Sequence, residues 1–200
     1  MVLWDLEVDK KVMMHPHDFK VSSILFFGAN QEYLLSIDNG LKPAIFISEW
    51  QTLTRLHQMY LPQPKKNRFV KNFVCNFSIN KNMIIIAENY ADRYIFSIWE
   101  FKSDNLNLLL VNDEENLTNC LRIHIFENSS VLFFALVEKK CIKYWKLDDK
   151  RLVLANRIHV KEDIIDAHLS PLTNFLLFLS ESGRLYIVNS EAIRYLVKII

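Results

Sequence analysis

Short apolar runs separated by polar clusters of Asn, Asp, Ser and Pro recur along the whole chain. Alternation and enrichment in β-branched and aromatic residues predict strands rather than helices. An opening strand at 2–6 and a partner at 11–15 come first. Four sets of four strands follow: 21–27, 33–38, 44–49 and 52–58; then 68–77, 83–88, 94–101 and 106–111; then 120–126, 131–137, 141–147 and 151–159; and last 164–169, 175–180, 184–189 and 192–199. Met83-Ile84-Ile85-Ile86-Ala87 and Val131-Leu132-Phe133-Phe134-Ala135 are apolar throughout, as strands buried on both faces must be. The run 151–159 is more mixed, which suits an outer, half-exposed strand.

The third strand of each set carries a degenerate common phrase. It reads Val2-Leu3-Trp4-Asp5, Ile45-Phe46-Ile47-Ser48-Glu49, Phe96-Ser97-Ile98-Trp99-Glu100, Ile142-Lys143-Tyr144-Trp145-Lys146 and Leu185-Tyr186-Ile187-Val188-Asn189. Its equivalent positions Trp4, Ser48, Trp99, Trp145 and Val188 are separated by 44, 51, 46 and 43 residues. A four-stranded WD-type propeller blade repeats at about 40–45 residues. The expected fold is therefore all-β: an incomplete WD-type β-propeller of about four and a half four-stranded antiparallel blades. Residues 1–200 form one partial propeller, with a blade part at 1–19 and blades at about 20–60, 61–115, 116–161 and 162–200. Trp4, Trp99 and Trp145 are the expected wedges between blades, where a large ring buries roughly 150–250 Å². Ser48 and Val188 are smaller, and Trp50 is placed to compensate in the first full blade. Propellers usually close with four to eight blades, so further sequence or another chain is expected to supply the rest and to cover the open edges.

Composition narrows the function. The chain is 50% hydrophobic, and 24 basic against 23 acidic residues leave a net charge of +1, which gives no global field toward nucleic acid or an acidic membrane. No apolar stretch is long enough for a membrane-spanning helix, and Trp4-Asp5 and Glu7 stand where a signal peptide needs an apolar run. Cys75, Cys120 and Cys141 are odd in number, lack metal-like spacing and lie in strand-like runs, which reads as reduced thiols in a cytoplasmic β-protein. With 3 glycines in the chain, Asn30, Asn39, Asn80, Asn82, Asn105, Asn107, Asn128 and Asn174 are expected at or near the turns.

Catalytic constellations are missing from the pattern. The six histidines are scattered, and His15-Pro16-His17 has no third ligand nearby. There is no nucleophile elbow and no glycine-rich phosphate loop. Neither a cofactor nor a metal nor a catalytic residue is expected. Asp113-Glu114-Glu115 reads as a solvated turn between blades. The most suggestive surface feature is Leu61-Pro62-Gln63-Pro64-Lys65-Lys66-Asn67-Arg68, in which two prolines stiffen a loop presenting cations. Lys65, Lys66 and Arg68 are the candidate partner-binding residues, suited to an acidic surface such as tubulin tails. Without interleaved aromatics, the loop does not suit nucleic acid.

Residues 33–49 (Tyr-Leu-Leu-Ser-Ile-Asp-Asn-Gly-Leu-Lys-Pro-Ala-Ile-Phe-Ile-Ser-Glu) and the cadence Ile95-Phe96-Ser97-Ile98-Trp99-Glu100-Phe101 resemble the divergent propellers of cilia- and flagella-associated WD-repeat proteins. The same wording occurs in kinase-scaffold and echinoderm-microtubule-associated-like propellers. No blade opens with Gly-His, and Trp4-Asp5 alone keeps the eponymous dipeptide, so packing rather than the usual hydrogen-bond network should hold each blade. The resemblance implies a non-enzymatic scaffold in a ciliary axoneme or other microtubule-based assembly, with tubulin or axonemal proteins as partners. A WD-repeat adaptor in a cytosolic signalling or vesicle-trafficking complex is the alternative.

Overall fold

The computed structural model describes residues 2–5, 10–13, 21–40, 42–52, 54–62, 70–91, 93–114, 118–170, 173, 175–189 and 193–198. Among them every regular element is a strand. A hairpin of β1 (Val2–Asp5) and β2 (Lys10–Met13) comes first. The first four-stranded sheet follows, with β3 (Val21–Phe27), β4 (Tyr33–Asp38), β5 (Ala44–Glu49) and β6 (Thr54–Tyr60). The second has β7 (Asn72–Ser78), β8 (Met83–Asn89), β9 (Tyr94–Lys102) and β10 (Asn105–Glu114). The third has β11 (Cys120–Ile125), β12 (Leu132–Glu138), β13 (Cys141–Asp148) and β14 (Arg151–His159). The fourth has β15 (Ile164–Leu169), β16 (Leu176–Ser180), β17 (Arg184–Val188) and β18 (Ile193–Lys198).

Each sheet is an antiparallel meander in sequence order. The first strands β3, β7, β11 and β15 stand side by side, so the sheets are arranged radially about a common axis. The register makes the repeat explicit. The wedge positions pair with the second strand as Leu34 with Ser48, Ile84 with Trp99, Phe134 with Trp145, and Leu176 with Val188. These second-strand residues pair in turn with Phe26, Phe77, Ile125 and Leu169 on the inner strands. Positions counted from these pairs are counterparts from sheet to sheet.

Burial follows the pleat. Successive side chains point to opposite faces of a strand, so each sheet has one face toward the preceding sheet and one toward the following sheet. The following face of the first sheet carries Leu35, Ile37, Ile45 and Ile47, all 0–1% exposed. They join Phe73, Ile84, Ile86 and Trp99 of the second sheet in one core. The second sheet repeats this with Ile85, Ala87, Phe96 and Ile98, all 0% exposed, against Ile123, Phe134 and Trp145 of the third. The third uses Ala135, Val137, Ile142 and Tyr144, again 0% exposed, against Ala167, Leu176 and Phe178 of the fourth. Burying each such aliphatic or aromatic side chain contributes about 1.5–3 kcal/mol, so the inter-sheet cores dominate stability.

Sequence and structure differ at strand ends and in turn chemistry. The outer strands run later or longer than alternation suggests: β6 ends at Tyr60 and β10 spans Asn105–Glu114. Asp113 and Glu114, read from sequence as a solvated turn, therefore belong to a strand, and Asp113 pairs with Arg93 at 3.0 Å. Of the asparagines expected at turns, Asn82 adopts a positive φ (51°), while Gln31, Asp149 and Lys150 take the other non-glycine left-handed positions among the described residues. Asp149 and Lys150, at φ 45° and 65°, fill a two-residue loop between the paired Asp148 and Arg151, the geometry of a type I′ hairpin. Gly28 (φ 97°) opens the β3–β4 turn beside the Glu32 carboxylate, where a Cβ would approach to 2.6 Å.

Trp99 is 1% exposed and its Nε1 donates to Ser97 Oγ at 2.8 Å. Trp99→Ala leaves a cavity between the first two sheets and is expected to lower the unfolding free energy by about 3–5 kcal/mol. Urea unfolding checks this, and a near-neutral result would remove the wedge role.

Candidate functional site

The inner strands line a central channel, and a cavity of about 640 Å³ lies along it, bordered by Leu25, Cys75, His124, Asp166, His168 and Leu179 among others. Asn76, Arg122, His124 and Asp166 on its wall bond between sheets. Asn76 Nδ2 donates to the Ile123 carbonyl at 2.8 Å. His124 Nε2 donates to the Ala167 carbonyl at 3.1 Å. Asn76 and His124 are counterparts, and so are their acceptors, which immediately precede His124 and His168. One bond thus recurs at successive interfaces. Burial pushes the His124 imidazolium down to about 4, with the Ala167 bond opposing, so the ring is neutral at ordinary pH and Nε2 carries its proton. Arg122 and Asp166 form an ion pair across the same interface at 2.9 Å. Between the first two sheets, Ser23 Oγ and Cys75 Sγ lie 3.5 Å apart. Burial pushes the Cys75 thiol up to about 11, with the Ser23 bond opposing, which leaves it a poor nucleophile.

A buried polar layer closes one end of the sheets. Asn89 Nδ2 donates to the Cys120 carbonyl at 2.7 Å, and the Cys120 amide donates to Asn89 Oδ1 at 2.8 Å. Lys143 Nζ lies 2.6 Å from Glu138 Oε1, and the Tyr94 hydroxyl donates to the same oxygen at 2.7 Å. Lys143 and Glu138 are 1% and 2% exposed, so the ion pair is cut off from water. Glu88 is 1% exposed; Tyr90 donates to its Oε2 at 2.8 Å, while Oε1 has no hydrogen-bond partner. Burial pushes the Glu88 carboxyl up to about 7, opposed by the Tyr90 bond. At the opposite end, Glu127, in the turn between β11 and β12, accepts from Ser78 Oγ (2.9 Å), Ile79 N (3.0 Å) and Asn80 N (3.2 Å) and caps the β7–β8 turn.

The residues singled out from sequence are distributed across the molecule. Trp99 and Trp145 lie in successive inter-sheet cores, at 1% and 7% exposure. Trp4 is on β1 in register with Lys11, and its side chain is outside the described ones. Lys65, Lys66 and Arg68 lie outside the described residues, as do His15 and His17. Trp50 does not fill the gap at Ser48: it sits half-buried at the end of the sheet, stacked edge-on to Phe26 with its Nε1 bonded to the Gln31 carbonyl. Ser48 itself is 3% exposed. Among the described residues, no group of three or more His, Cys, Asp or Glu is placed to hold a metal.

The buried acidic positions were missed from sequence, although a signal was there. Asp38, Glu88 and Glu138 each follow the wedge's partner by four residues and end an apolar run at a spacing of 50. Asp38 accepts from the Gly40 and Ala44 amides at 3.1 and 3.2 Å, closing the β4–β5 turn. Lys143 gave no signal, because a lysine in a strand reads as a solvated face.

No family model matches the chain, and no curated protein matches it. Among solved structures, it is similar to the complex of KlAtg21 with the coiled-coil of AgAtg16, with a TM-score of 0.68 and 10% identity. The match covers 94% of this chain and 58% of that one, so this chain spans little more than half the length of its structural neighbour. The likeness and the radial array of meanders define an all-β protein with a β-propeller-type fold.

Two outcomes follow from the buried layer. The folded-state value of Glu88 lies above the ordinary carboxylate value of 4.5, so the folded chain binds this proton more tightly than the unfolded chain. That stabilisation is complete below about 4.5 and is lost as pH rises through about 7. Urea unfolding of the wild type and Glu88→Gln from about pH 5 to about pH 8 should show the wild type losing stability relative to the variant by on the order of 3 kcal/mol. Parallel pH profiles would show that Glu88 is ionised throughout. Lys143→Met alone strands the Glu138 carboxylate and should cost about 3–5 kcal/mol, most of which Lys143→Met with Glu138→Leu recovers. The same unfolding measurement checks it, and equal losses in single and double variants would refute the coupling.

Proposed function

We propose that the chain is a non-enzymatic scaffold that uses a propeller for protein–protein interaction. One observation carries this reading: four polar side chains of the channel wall are spent on holding sheets together. Asn76, His124, Arg122 and Asp166 all bond across sheet boundaries. No nucleophile–base pair is assembled among them. The outer strands supply the complementary feature, exposing Leu108 and Val111 on β10 and Val153 on β14 at 42%, 43% and 50%. Apolar side chains on a rigid wall suit a protein partner.

The assembly proposed is microtubule-based, the ciliary axoneme in particular, with Lys65, Lys66 and Arg68 facing the acidic surface of tubulin. The Pro-braced wording of that loop and the resemblance of residues 33–49 support it. An adaptor in a cytosolic signalling or vesicle-trafficking complex is the second reading, favoured by the similar structure, which is a complex with a coiled-coil.

Co-sedimentation with microtubules across a salt series separates the two. Each cation at a partly desolvated contact contributes about 1 kcal/mol. Replacing Lys65, Lys66 and Arg68 together by Ser should therefore abolish most binding at low salt and flatten its salt dependence. Equal retention of wild type and variant at every ionic strength would eliminate the patch, and no binding of the wild type would favour the adaptor.

A further inference from the structure

One interface departs from its neighbour at the end of the sheets where Glu127 lies. Phe77 on β7 and Ile125 on β11 are counterparts by register, so Ile79 in the β7–β8 turn stands where Glu127 stands in the next sheet. Glu127 latches the second and third sheets together. Its carboxylate takes Ser78 and the Ile79 and Asn80 amides, and its carbonyl accepts from Asn80 Nδ2 at 3.1 Å. Lys81 Nζ adds a bond to the Ser130 carbonyl at 2.9 Å. The Ile79 side chain has nothing to offer in that position, and it is 52% exposed. The β3–β4 turn closes on itself instead, with the Asn30 amide donating to Glu32 Oε2 at 2.8 Å. Among the described residues, no hydrogen bond joins the β3–β4 turn to the β7–β8 turn. A cavity of about 570 Å³ lies between them, bordered by Gly28, Glu32, Tyr33, Phe77, Ile79 and Phe101 among others.

The lining pairs an aromatic floor with an acidic rim. The Phe101 ring centroid lies 5.0 Å from that of Tyr33 and 6.3 Å from that of Phe77, both near edge-on. Phe27, at 3% exposure, holds all three rings at 4.6–5.4 Å. Rings this close pack on one another and offer a surface, not a cage, and Tyr33 and Phe77 are half-buried there. Glu32, Lys102 and Asp104 border the same cavity. Lys102 Nζ pairs with Glu100 at 3.2 Å, which leaves the two carboxylates in excess. Asp104 is exposed and has no ion-pair partner among the described residues. Glu32 has given one of its roughly four acceptor positions to Asn30.

We infer that this cavity is a docking site for an arginine side chain on a basic segment of a partner protein. Its guanidinium lies against the aromatic floor and donates to Glu32 and Asp104, and its stem packs on Ile79. A planar, weakly hydrated cation both stacks on rings and forks onto carboxylates, which a lysine ammonium does less well. An apolar side chain would cover the two carboxylates without a partner for either, and an anion would be repelled. The second interface offers no such place, because Glu127 fills the counterpart position. The inference rests on the scaffold reading for the existence of a protein partner, and it adds the chemistry of one contact.

The test titrates an acetylated, amidated Leu-Arg-Leu peptide into the full chain carrying ¹³C-labelled isoleucine δ1 methyls, and follows the Ile79 signal by NMR. The peptide should move that signal saturably. Replacing its arginine by citrulline, which keeps the shape and removes the charge, should weaken binding about tenfold. A lysine peptide should bind severalfold more weakly than the arginine peptide. Glu32→Gln and Asp104→Asn should each weaken the arginine peptide severalfold while urea unfolding stays that of the wild type. Asp149→Asn, in the corresponding turn of the third sheet, should leave binding unchanged. Equal affinity for the arginine and citrulline peptides, a preference for trimethyl-lysine, or indifference to both substitutions would overturn the inference. So would an Ile79 signal that stays still throughout the titration. Any of these results removes this cavity alone and leaves the scaffold reading standing, whereas a failed microtubule co-sedimentation bears on Lys65, Lys66 and Arg68 and leaves the titration unaffected.

Discussion

Each four-stranded sheet of this protein carries apolar side chains on both faces, and a sheet with two such faces is stable only with a neighbour on each side. Everything else in the fold is subordinate to that constraint. The second strands β8 and β12 carry the apolar runs Ile84-Ile85-Ile86-Ala87 and Leu132-Phe133-Phe134-Ala135-Leu136-Val137 because both of their faces pack against neighbouring sheets. Sequential meanders place each sheet beside the next in chain order, so the neighbour is always local and the cores form between consecutive units. In such an array stability is close to a sum of unit and interface terms. A damaged wedge such as Trp99 therefore weakens one joint and leaves the others intact.

Apolar contact alone would let adjacent sheets slide. The buried polar groups fix their register. Asn89 grips both backbone groups of Cys120, and Asn76 and His124 each hold a carbonyl on the next inner strand, so a shift by one residue strands a buried donor. Lys143, Glu138 and Tyr94 do the same across the second and third sheets, with three polar groups meeting at one carboxylate oxygen region. A pair so buried adds little net stability over an apolar replacement. Its contribution is to penalise every arrangement in which the partners fail to meet. Glu88 is the exception, a buried carboxyl with one oxygen unpartnered, and it relieves the cost by holding its proton toward neutral pH.

The strands were legible in sequence because alternation and β-branched content report burial directly; β3, β4, β5, β14 and β15 coincide with their sequence readings. The outer strands were less legible at their ends, because β6 and β10 are half exposed and their polar residues resemble turns. Trp50 looked like a substitute for the missing wedge because spacing along a strand does not say which end of the sheet a ring reaches. Lys143 was invisible for a deeper reason. Its burial depends on Glu138 and Tyr94, which lie on two other strands in two different sheets, and nothing local encodes that meeting. The acidic series Asp38, Glu88, Glu138 was encoded, at a regular spacing, and becomes informative once the wedge positions have fixed the frame.

The same frame explains how uncontrolled strand addition is disfavoured at the rim. Outer strands present unpaired backbone groups, which invite uncontrolled strand addition. In the first three sheets a bulge interrupts the outermost pairing beside the wedge position, at Ile47/Ser48, Leu108/Leu110 and Tyr144/Trp145. In the fourth it falls between Leu185 and Tyr186, two residues earlier in the repeat. A bulge twists an edge and breaks the row of groups a passing strand would need. Edge pairing is thereby disfavoured at the rim, while side-chain contact with Leu108, Leu109 and Val153 remains available there. The rim accordingly offers shape and apolar area, whereas hydrogen bonding to backbone across sheet boundaries is kept for the inner strands, at Asn76 and His124.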